Sequence, residues 1–372
     1  MKVLFLGAIG EGQTSLMRLR ALRRLGHEVE GVDTAAPWAG ASWPARQAQR
    51  RLGRGPTIDA INRAVLNAAD HFQPEMVWAE KQEHLRPETI ETLRRGATCV
   101  HFTPDPYFHL AWKRTALMDA AIGCFDALVF CKRYEEADYA ALGRPLIYMP
   151  LGYCDETHRP LRSADPEWAC AVGFLGGWEP RRQRLLHALA EVVPYLKIRG
   201  GYWDFLRDGR WTPRRRLILG QLAGGETFRI ARDPLLAAAW RGGEVYADDY
   251  ARALTGARIG VGFLRQVCPD QHTTRTFEIP ACGSLLLADR TDDHLGFFEE
   301  GREAEFFDGE EELIDKARFY AAHETERARV AAAGRERCEK SGYAYVERLR
   351  PVLATIAGGQ AETSQRRQVA AR

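Results

Sequence analysis

The chain has 372 residues, with 52 Lys and Arg against 50 Asp and Glu, and a formal net charge of +2. With 45% hydrophobic and 27% charged residues, it is neither a uniformly basic nucleic-acid binder nor a charged disordered chain. At about 150 residues per domain the length predicts two domains, each with enough apolar material for a core.

The opening MKVLFLGAIG ends its apolar run at Gly7, too soon for a signal-peptide core, and reads as a buried strand over 3–7. A Gly-rich turn leads into an amphipathic helix at 14–26 and a second strand at 27–33. Further strands are predicted at 76–80, 98–103, 126–131 and 145–150, with helices at 57–72, 87–95 and 133–142. This alternation predicts a parallel sheet with helices on its faces and right-handed crossovers. Residues 152–170 are polar and broken by prolines, as suits a linker. The pattern then restarts, with strands at 171–177, 196–201, 257–263 and 283–289 and helices at 181–193, 248–256 and 310–339. The expected organisation is α/β, with Rossmann-like doubly wound domains at 1–160 and 168–340. A helix at 343–358 could pack across the domain interface, and the polar tail 359–372 is expected to be disordered.

No window offers about 18 consecutive apolar residues, so no membrane span is expected. Eight cysteines lie singly, without a C-x-x-C pair, which predicts buried reduced thiols in a cytoplasmic protein.

Four segments could carry chemistry. The first turn holds Gly7, Gly10 and Gly12, and Asp33 ends the second strand. Glycines of this kind admit a pyrophosphate to a helix N-terminus while the acid takes a ribose. The spacing is G-x-x-G-x-G rather than G-x-G-x-x-G, so a plain turn needing glycine dihedrals fits as well. The second segment, HFTPDPYFH, gathers His101, Asp105 and His109 after a strand, where Asp105 could accept a proton or simply set an Asx turn. In the third, FLGGWEPRRQR, Gly176 and Gly177 precede Arg181, Arg182 and Arg184 at a helix start. Arginine forks suit phosphate, although three so close cannot all point to one site. The fourth, CPDQHTTRTFEIPACGSLLLAD, crowds Asp270, His272, Thr273, Thr274, Arg275 and Glu278 around the entrance of a short helix near 277–282. Carboxylates on a ribose beside an arginine on phosphate would make a nucleotide-sugar site; capping and ion pairing are the plainer alternative.

The run R-x-F-E-I-x-A-C-G from Arg275 to Gly283 resembles the donor-site motif of the CgeB-like (spore maturation protein) glycosyltransferases, within the group-1 glycosyltransferases. Collinear support comes from TPDP at 103–106, DALVFCKRYEEADYAALGRPLIYMPLGYCDETHRP at 126–160, GFLGGWEPRRQRLL at 173–186 and VYADDYARALTGARIGVGF at 245–263. The resemblance covers most of 97–345 and implies a GT-B glycosyltransferase fold, two Rossmann-like domains facing a cleft. It implies a hexosyl-type transfer from a UDP-, GDP- or dTDP-linked sugar to an unknown glycan, small-molecule or protein acceptor. The N-terminal domain would take the acceptor side, with Gly10, Gly12, His101 and His109, and the C-terminal domain the donor.

By the same resemblance, Glu278 matches the acid on the donor ribose, and Asp270 falls at the first acid of an E-x7-E pattern. Arg275 and Arg182 match arginines on the pyrophosphate, above a turn made by Gly176 and Gly177. Tyr202, Trp203 and Tyr246 stand where the base would stack, with His272 and Thr273 beside the donor, and Asp105 is the candidate catalytic base. No D-x-D occurs, so no metal and no cofactor beyond the donor are expected. The alternatives are a catalytically silent nucleotide-binding scaffold of the same fold or an NAD-dependent oxidoreductase. No specific nucleic acid is expected as partner.

Two charged stretches remain. Residues 34–58 hold Arg46, Arg50, Arg51 and Arg54, two tryptophans and no acid. They suit an anionic acceptor or peripheral contact with a membrane surface, while a solvated loop is the favoured reading. The acidic run 299–315 reads as a solvated helix entrance and loop.

Overall fold

The computed structural model describes residues 1–110 and 114–370, with side chains through residue 358. The chain divides into two compact units, Met1–Leu151 with Tyr345–Arg372, and Gly152–Ala344.

In chain order the first unit runs β1 (Lys2–Gly7), α1 (Thr14–Arg24), β2 (Glu28–Asp33), α2 (Ala36–Gly40), α3 (Trp43–Leu52), α4 (Pro56–Phe72) and β3 (Met76–Glu80). It continues with α5 (Pro87–Leu93), β4 (Thr98–Thr103), α6 (Ala116–Ile122), β5 (Ala127–Phe130), α7 (Glu136–Ala140) and β6 (Leu146–Tyr148). All six strands are parallel, in the order β2-β1-β3-β4-β5-β6. A parallel sheet is covered on both faces, which is why its strands read as unbroken apolar runs rather than alternations. Every residue of MVWAE in β3 is buried. Helix α4 shows the matching helical signature, burying Ile58, Ile61, Asn62 and Val65 along one stripe, and it packs on β1 and β2.

The second unit runs β7 (Cys170–Leu175), α8 (Pro180–Val192), β8 (Leu196–Arg199), α9 (Phe205–Asp208), α10 (Pro213–Ala223), α11 (Pro234–Ala239), α12 (Ala247–Gly256) and β9 (Ala257–Gly262). It closes with α13 (Arg275–Ala281), β10 (Leu285–Asp289), α14 (Asp292–Phe297), β11 (Glu305–Phe307), α15 (Glu310–Ala322) and α16 (Glu324–Lys340). Its five parallel strands take the order β11-β10-β9-β7-β8 over a core that includes Phe174, Leu186, Trp203, Ile259 and Leu287. A last helix, α17 (Tyr345–Ala370), returns to the first unit and lies against α1. The tail 359–372, read as disordered, lies outside the residues whose side chains are described.

Both sheets thus carry the doubly wound α/β arrangement that the sequence predicts. Three stretches differ from it. Residues 34–58 form helices instead of a loop: Ser42 caps α3 through Ala45 N–H, and Gly53 ends it at φ 61°. The prolines and glycines of this stretch act as helix starts and stops. The acidic run 299–315 is not simply solvated, because it supplies strand β11 and draws Glu300, Asp308 and Glu312 around Arg290. Lys316 joins the same network through Glu300 and Glu305. Residues 152–170 are no free linker, since Tyr153, Cys154 and His158 are buried in the second unit. Among the described residues the cysteines form no disulfide, and seven of the eight are buried. No described helix is long and apolar enough to cross a membrane.

Candidate functional site

In a doubly wound sheet, ligands bind beyond the carboxyl ends of the strands at the point where strand order reverses. In the second unit the chain leaves β7 for β8 on one side and returns to β9 on the other. The switch point therefore lies beyond Leu175 and Gly262. Gly176 and Gly177 follow β7 there, and the backbone at Gly176 is crowded. A Cβ on Gly200, at φ +146°, would stand 2.0 Å from the Gly176 carbonyl oxygen, so only glycine allows that approach.

Arg181, Arg182, Arg265 and Arg275 gather at this point. Arg182, on the first turn of α8, donates from Nη1 to the Gly177 carbonyl at 3.0 Å and meets Glu179 at 3.0 Å. Its Nε is buried with no partner. Burial holds its pKa down to about 10 against the pull of Glu179, and the neighbouring Arg275 and Arg265 push the same way as burial. Arg181 pairs with Asp289 at the end of β10, and its Nη1 is likewise buried and unpartnered. Asp289 also accepts the Leu264 N–H at 2.7 Å, which ties the ends of β9 and β10 together. Arg275 opens α13 and donates to the Leu175 carbonyl. Arg184 turns outward to Glu226, the solvated member that the crowding of the three predicts. Glu179 has its pKa pushed up by burial, against Arg182 and Arg265. Buried donors are normally satisfied, so two orphaned guanidinium nitrogens within a cationic group mark a place for an anion.

Glu278 follows on α13, one turn beyond Arg275, and is buried. Its Oε2 accepts from the Tyr250 hydroxyl at 2.5 Å, and its Oε1 lies 3.7 Å from His158 Nε2. Burial and the Glu278 carboxylate raise Tyr250 well above the ordinary phenol value, so it stays a donor. Burial lowers His158 against the pull of Glu278. Asp270 is buried in the loop before α13, its N–H on the Cys268 carbonyl at 2.8 Å. His272 and Thr273 brace that loop. His272 Nδ1 lies 2.7 Å from Asp293, and Thr273 N–H donates to Thr276 Oγ1 at 3.1 Å. Thr276 meets His294, whose other ring nitrogen is 2.6 Å from the Asp289 carbonyl.

Of the three aromatics expected to stack on a base, Tyr202 and Tyr246 are half exposed, at 48% and 47%. Trp203 is not available: it is fully buried in the core, and its indole N–H donates to the Gly176 carbonyl at 2.9 Å. It therefore supports the glycine turn.

The first unit holds the remaining candidates. Gly10 and Gly12 form the turn after β1, with Gly12 at φ +81° and Gln13 N–H on the Gly10 carbonyl at 3.1 Å. Asp33, the acid of the dinucleotide reading, accepts from the N–H groups of Ala35 and Ala36 at 2.9 and 3.0 Å and so caps a turn. His101 lies inside the core rather than at an acceptor surface. Its Nε2 accepts from Gln82 N–H at 3.3 Å, and burial holds its pKa down to about 4. Asp105, at the end of β4, pairs with Lys81 at 2.9 Å and stays partly exposed. His109 and Tyr107 donate their backbone N–H groups to Glu135, each at 2.9 Å, so a buried carboxylate clamps this loop.

Sequence reasoning overlooked Arg265, Asp289, Tyr250 and His158. Asp289 carried a usable signal, an acid closing the apolar run GSLLLA. Tyr250 and His158 carried none, since their partner Glu278 is far away in sequence. No group of three or more His, Cys, Asp or Glu suited to a metal occurs among the described residues.

Comparison with known proteins agrees with this architecture. Residues 181–354 match the family model described as Glycosyl transferase-like. No curated protein matches the chain. Similar solved structures include Anabaena HepE in complex with UDP-glucose, at 13% identity and a TM-score of 0.61, over 96% of this chain and 100% of that one. Sucrose-phosphate synthase from Thermosynechococcus elongatus aligns at 12% identity and a TM-score of 0.63, over 97% and 100%. The Escherichia coli structure described as trehalose-6-phosphate bound with UDP-2-fluoro glucose aligns at 11% identity and a TM-score of 0.58, over 95% and 98%. The chain is thus a GT-B-fold protein whose residues 181–354 match the Glycosyl transferase-like family.

Proposed function

We propose that the chain is a glycosyltransferase that takes a hexose from a nucleoside-diphosphate sugar and passes it to an acceptor hydroxyl. The observation that supports this most is the arginine group at the β7/β9 switch point, with two buried donors unpaired. Cleaving the bond between the anomeric carbon and the diphosphate leaves negative charge on the departing phosphate. Fixed cations in a site already stripped of water stabilise that charge without reorganising. Arg182 and Arg275 take this role, with Arg265 adding field and the start of α8 adding N–H donors. Glu278, held by Tyr250 and His158, binds the donor ribose, and Asp270 is the second candidate acid. The exposed rings of Tyr202 and Tyr246 offer faces for the base. Asp105, paired with Lys81, receives the acceptor proton. Gly10, Gly12 and His109 belong to the acceptor side. A UDP-sugar is the first donor to try, because HepE was seen with UDP-glucose. The arginines stand in place of a metal, in keeping with a sequence that lacks D-x-D. The closer kinship with CgeB-like enzymes rests on the collinear motifs between 97 and 345.

The test is a panel of nucleotide sugars scored for release of nucleoside diphosphate, with and without EDTA. Release from at least one donor, undiminished by EDTA and lost in Arg275→Ala, is the expected result. Thermal stabilisation by UDP or GDP without any release would point to a silent scaffold. Stabilisation by NAD alone would overturn the proposal.

A further inference from the structure

In a soluble α/β unit, a helix packed on the sheet turns its apolar side chains inward. Helix α3 does the reverse. Its single buried residue is Gln49, while Trp43 and Leu52 are each 63% exposed. Pro44, Ala48, Gln47 and Arg51 share that outward arc. The preceding α2 has no buried residue at all, and Ala35, Ala36, Pro37 and Ala39 are exposed beside it.

The orientation is fixed by one side chain. Gln49 Oε1 accepts from the N–H groups of Thr57 and Ile58 at 2.9 and 3.3 Å, and its Nε2 donates to Thr57 Oγ1 at 3.1 Å. It thereby satisfies free donors at the start of α4 and locks α3 with its polar seam inward. Gly55 makes room for this, since a Cβ there would come within 2.4 Å of the Gln49 side chain. On the opposite side Trp43 and Leu52 stay mostly exposed, while Trp38 of α2 turns back and packs its ring on His84 at 4.0 Å.

We infer that residues 35–54 form a docking surface for an anionic lipid bilayer. The occupant is chosen by charge as well as by apolarity. From 34 to 58 the segment carries Arg46, Arg50, Arg51 and Arg54 and no carboxylate. A protein surface is mixed in sign and would call for some acids in return, whereas anionic headgroups over an acyl layer ask for arginines beside Trp and Leu. Trp is also the side chain that settles at the boundary between headgroups and hydrocarbon. The ten residues of α3 lie in the interface plane and do not span it. This inference concerns the first unit alone and stands whatever donor the second unit takes.

Flotation of the full chain with vesicles tests it, comparing phosphatidylcholine alone with phosphatidylcholine mixed with phosphatidylglycerol. Binding is expected to the mixed vesicles only and should weaken as salt is raised. The double change Arg51→Ala/Arg54→Ala should reduce partitioning roughly 25-fold at low salt, about fivefold per arginine. Trp43→Ser/Leu52→Ser should reduce it at least tenfold while the melting temperature holds, because both side chains already face water. Failure of the wild type to float with anionic vesicles would overturn the proposal. So would equal flotation of wild type and both variants, equal flotation on the neutral vesicles, or binding to soluble heparin without binding to vesicles.

Discussion

The two units repeat one architecture and treat its most useful position in opposite ways. In each sheet the order reverses beside the first strand, between β1 and β3 in one unit and between β7 and β9 in the other. In the first unit that point is filled from within. Glu80 at the end of β3 accepts from Ser15 at 2.7 Å and from Arg18 Nε at 2.8 Å, with a second Arg18 contact, and all three side chains are buried. Arg18 also lies over the rings of Phe102 and Tyr345. In the second unit the charges at the equivalent place are unequal in number, and two guanidinium donors have no partner. A saturated pair is part of the scaffold; an unsaturated group awaits a ligand. The glycine turn after β1, so suggestive in sequence, thus stands beside a crevice already occupied by an ion pair.

This contrast can be broken by mutation. Glu80→Ala leaves the Arg18 charge buried and alone and should cost about 3–5 kcal/mol in urea unfolding. The paired change Arg18→Met/Glu80→Leu should restore most of that, because an apolar pair of similar volume avoids the desolvation of both ions. If Glu80→Ala instead impaired donor turnover with stability intact, the pair would not be scaffold.

Buried histidines extend the comparison to pH. Burial holds His101 in the first unit and His294 in the second at about 4, down from 6.5. The unfolded chain takes up these protons near pH 6.5, whereas the folded chain resists until about 4. Stability should therefore fall as pH drops through this window, by on the order of 3 kcal/mol for each histidine once pH reaches the folded value. Urea midpoints measured across the window check this, and a flat profile would contradict it.

The second unit's arginines should behave in the opposite manner to Arg18. Arg182→Ala and Arg275→Ala should lower nucleoside-diphosphate release about 100-fold or more, as expected for losing a preorganised cation on the leaving group. Melting without nucleotide should shift far less than in Glu80→Ala, while the stabilisation given by UDP disappears. Tyr250→Phe is the mildest change. Losing one hydrogen bond to a carboxylate should weaken donor affinity about tenfold, with turnover at saturation nearly kept.

The strands were the most legible part of the fold, because a strand buried on both faces must be apolar throughout. β11 was hidden for the converse reason. Only the short EFF run interrupts an acidic stretch, and its burial depends on Arg290 and Lys316 neutralising the neighbours. Helix α10 gave little signal, since only Leu219 and Ala223 of its eleven residues are buried. At the candidate site, glycines and arginines close together in sequence were readable as a group. Trp203 was misread because an aromatic after a strand suits stacking and core equally, and only the hydrogen bond to Gly176 separates the two. Tyr250 and His158 meet Glu278 through tertiary folding alone.

One consequence of the topology concerns synthesis. The first sheet is made early, yet α17, which lies against α1 and brings Tyr345 beneath the Arg18 guanidinium at 4.9 Å, is made only after the second unit. The intervening unit is continuous in sequence and can close on the ribosome as soon as β11 and its flanking helices emerge. The first unit cannot be completed until the chain returns to it, and closing so long a loop carries an entropic cost that a finished middle unit reduces. The order of emergence and the order of completion are therefore expected to differ: the domain begun first is finished second.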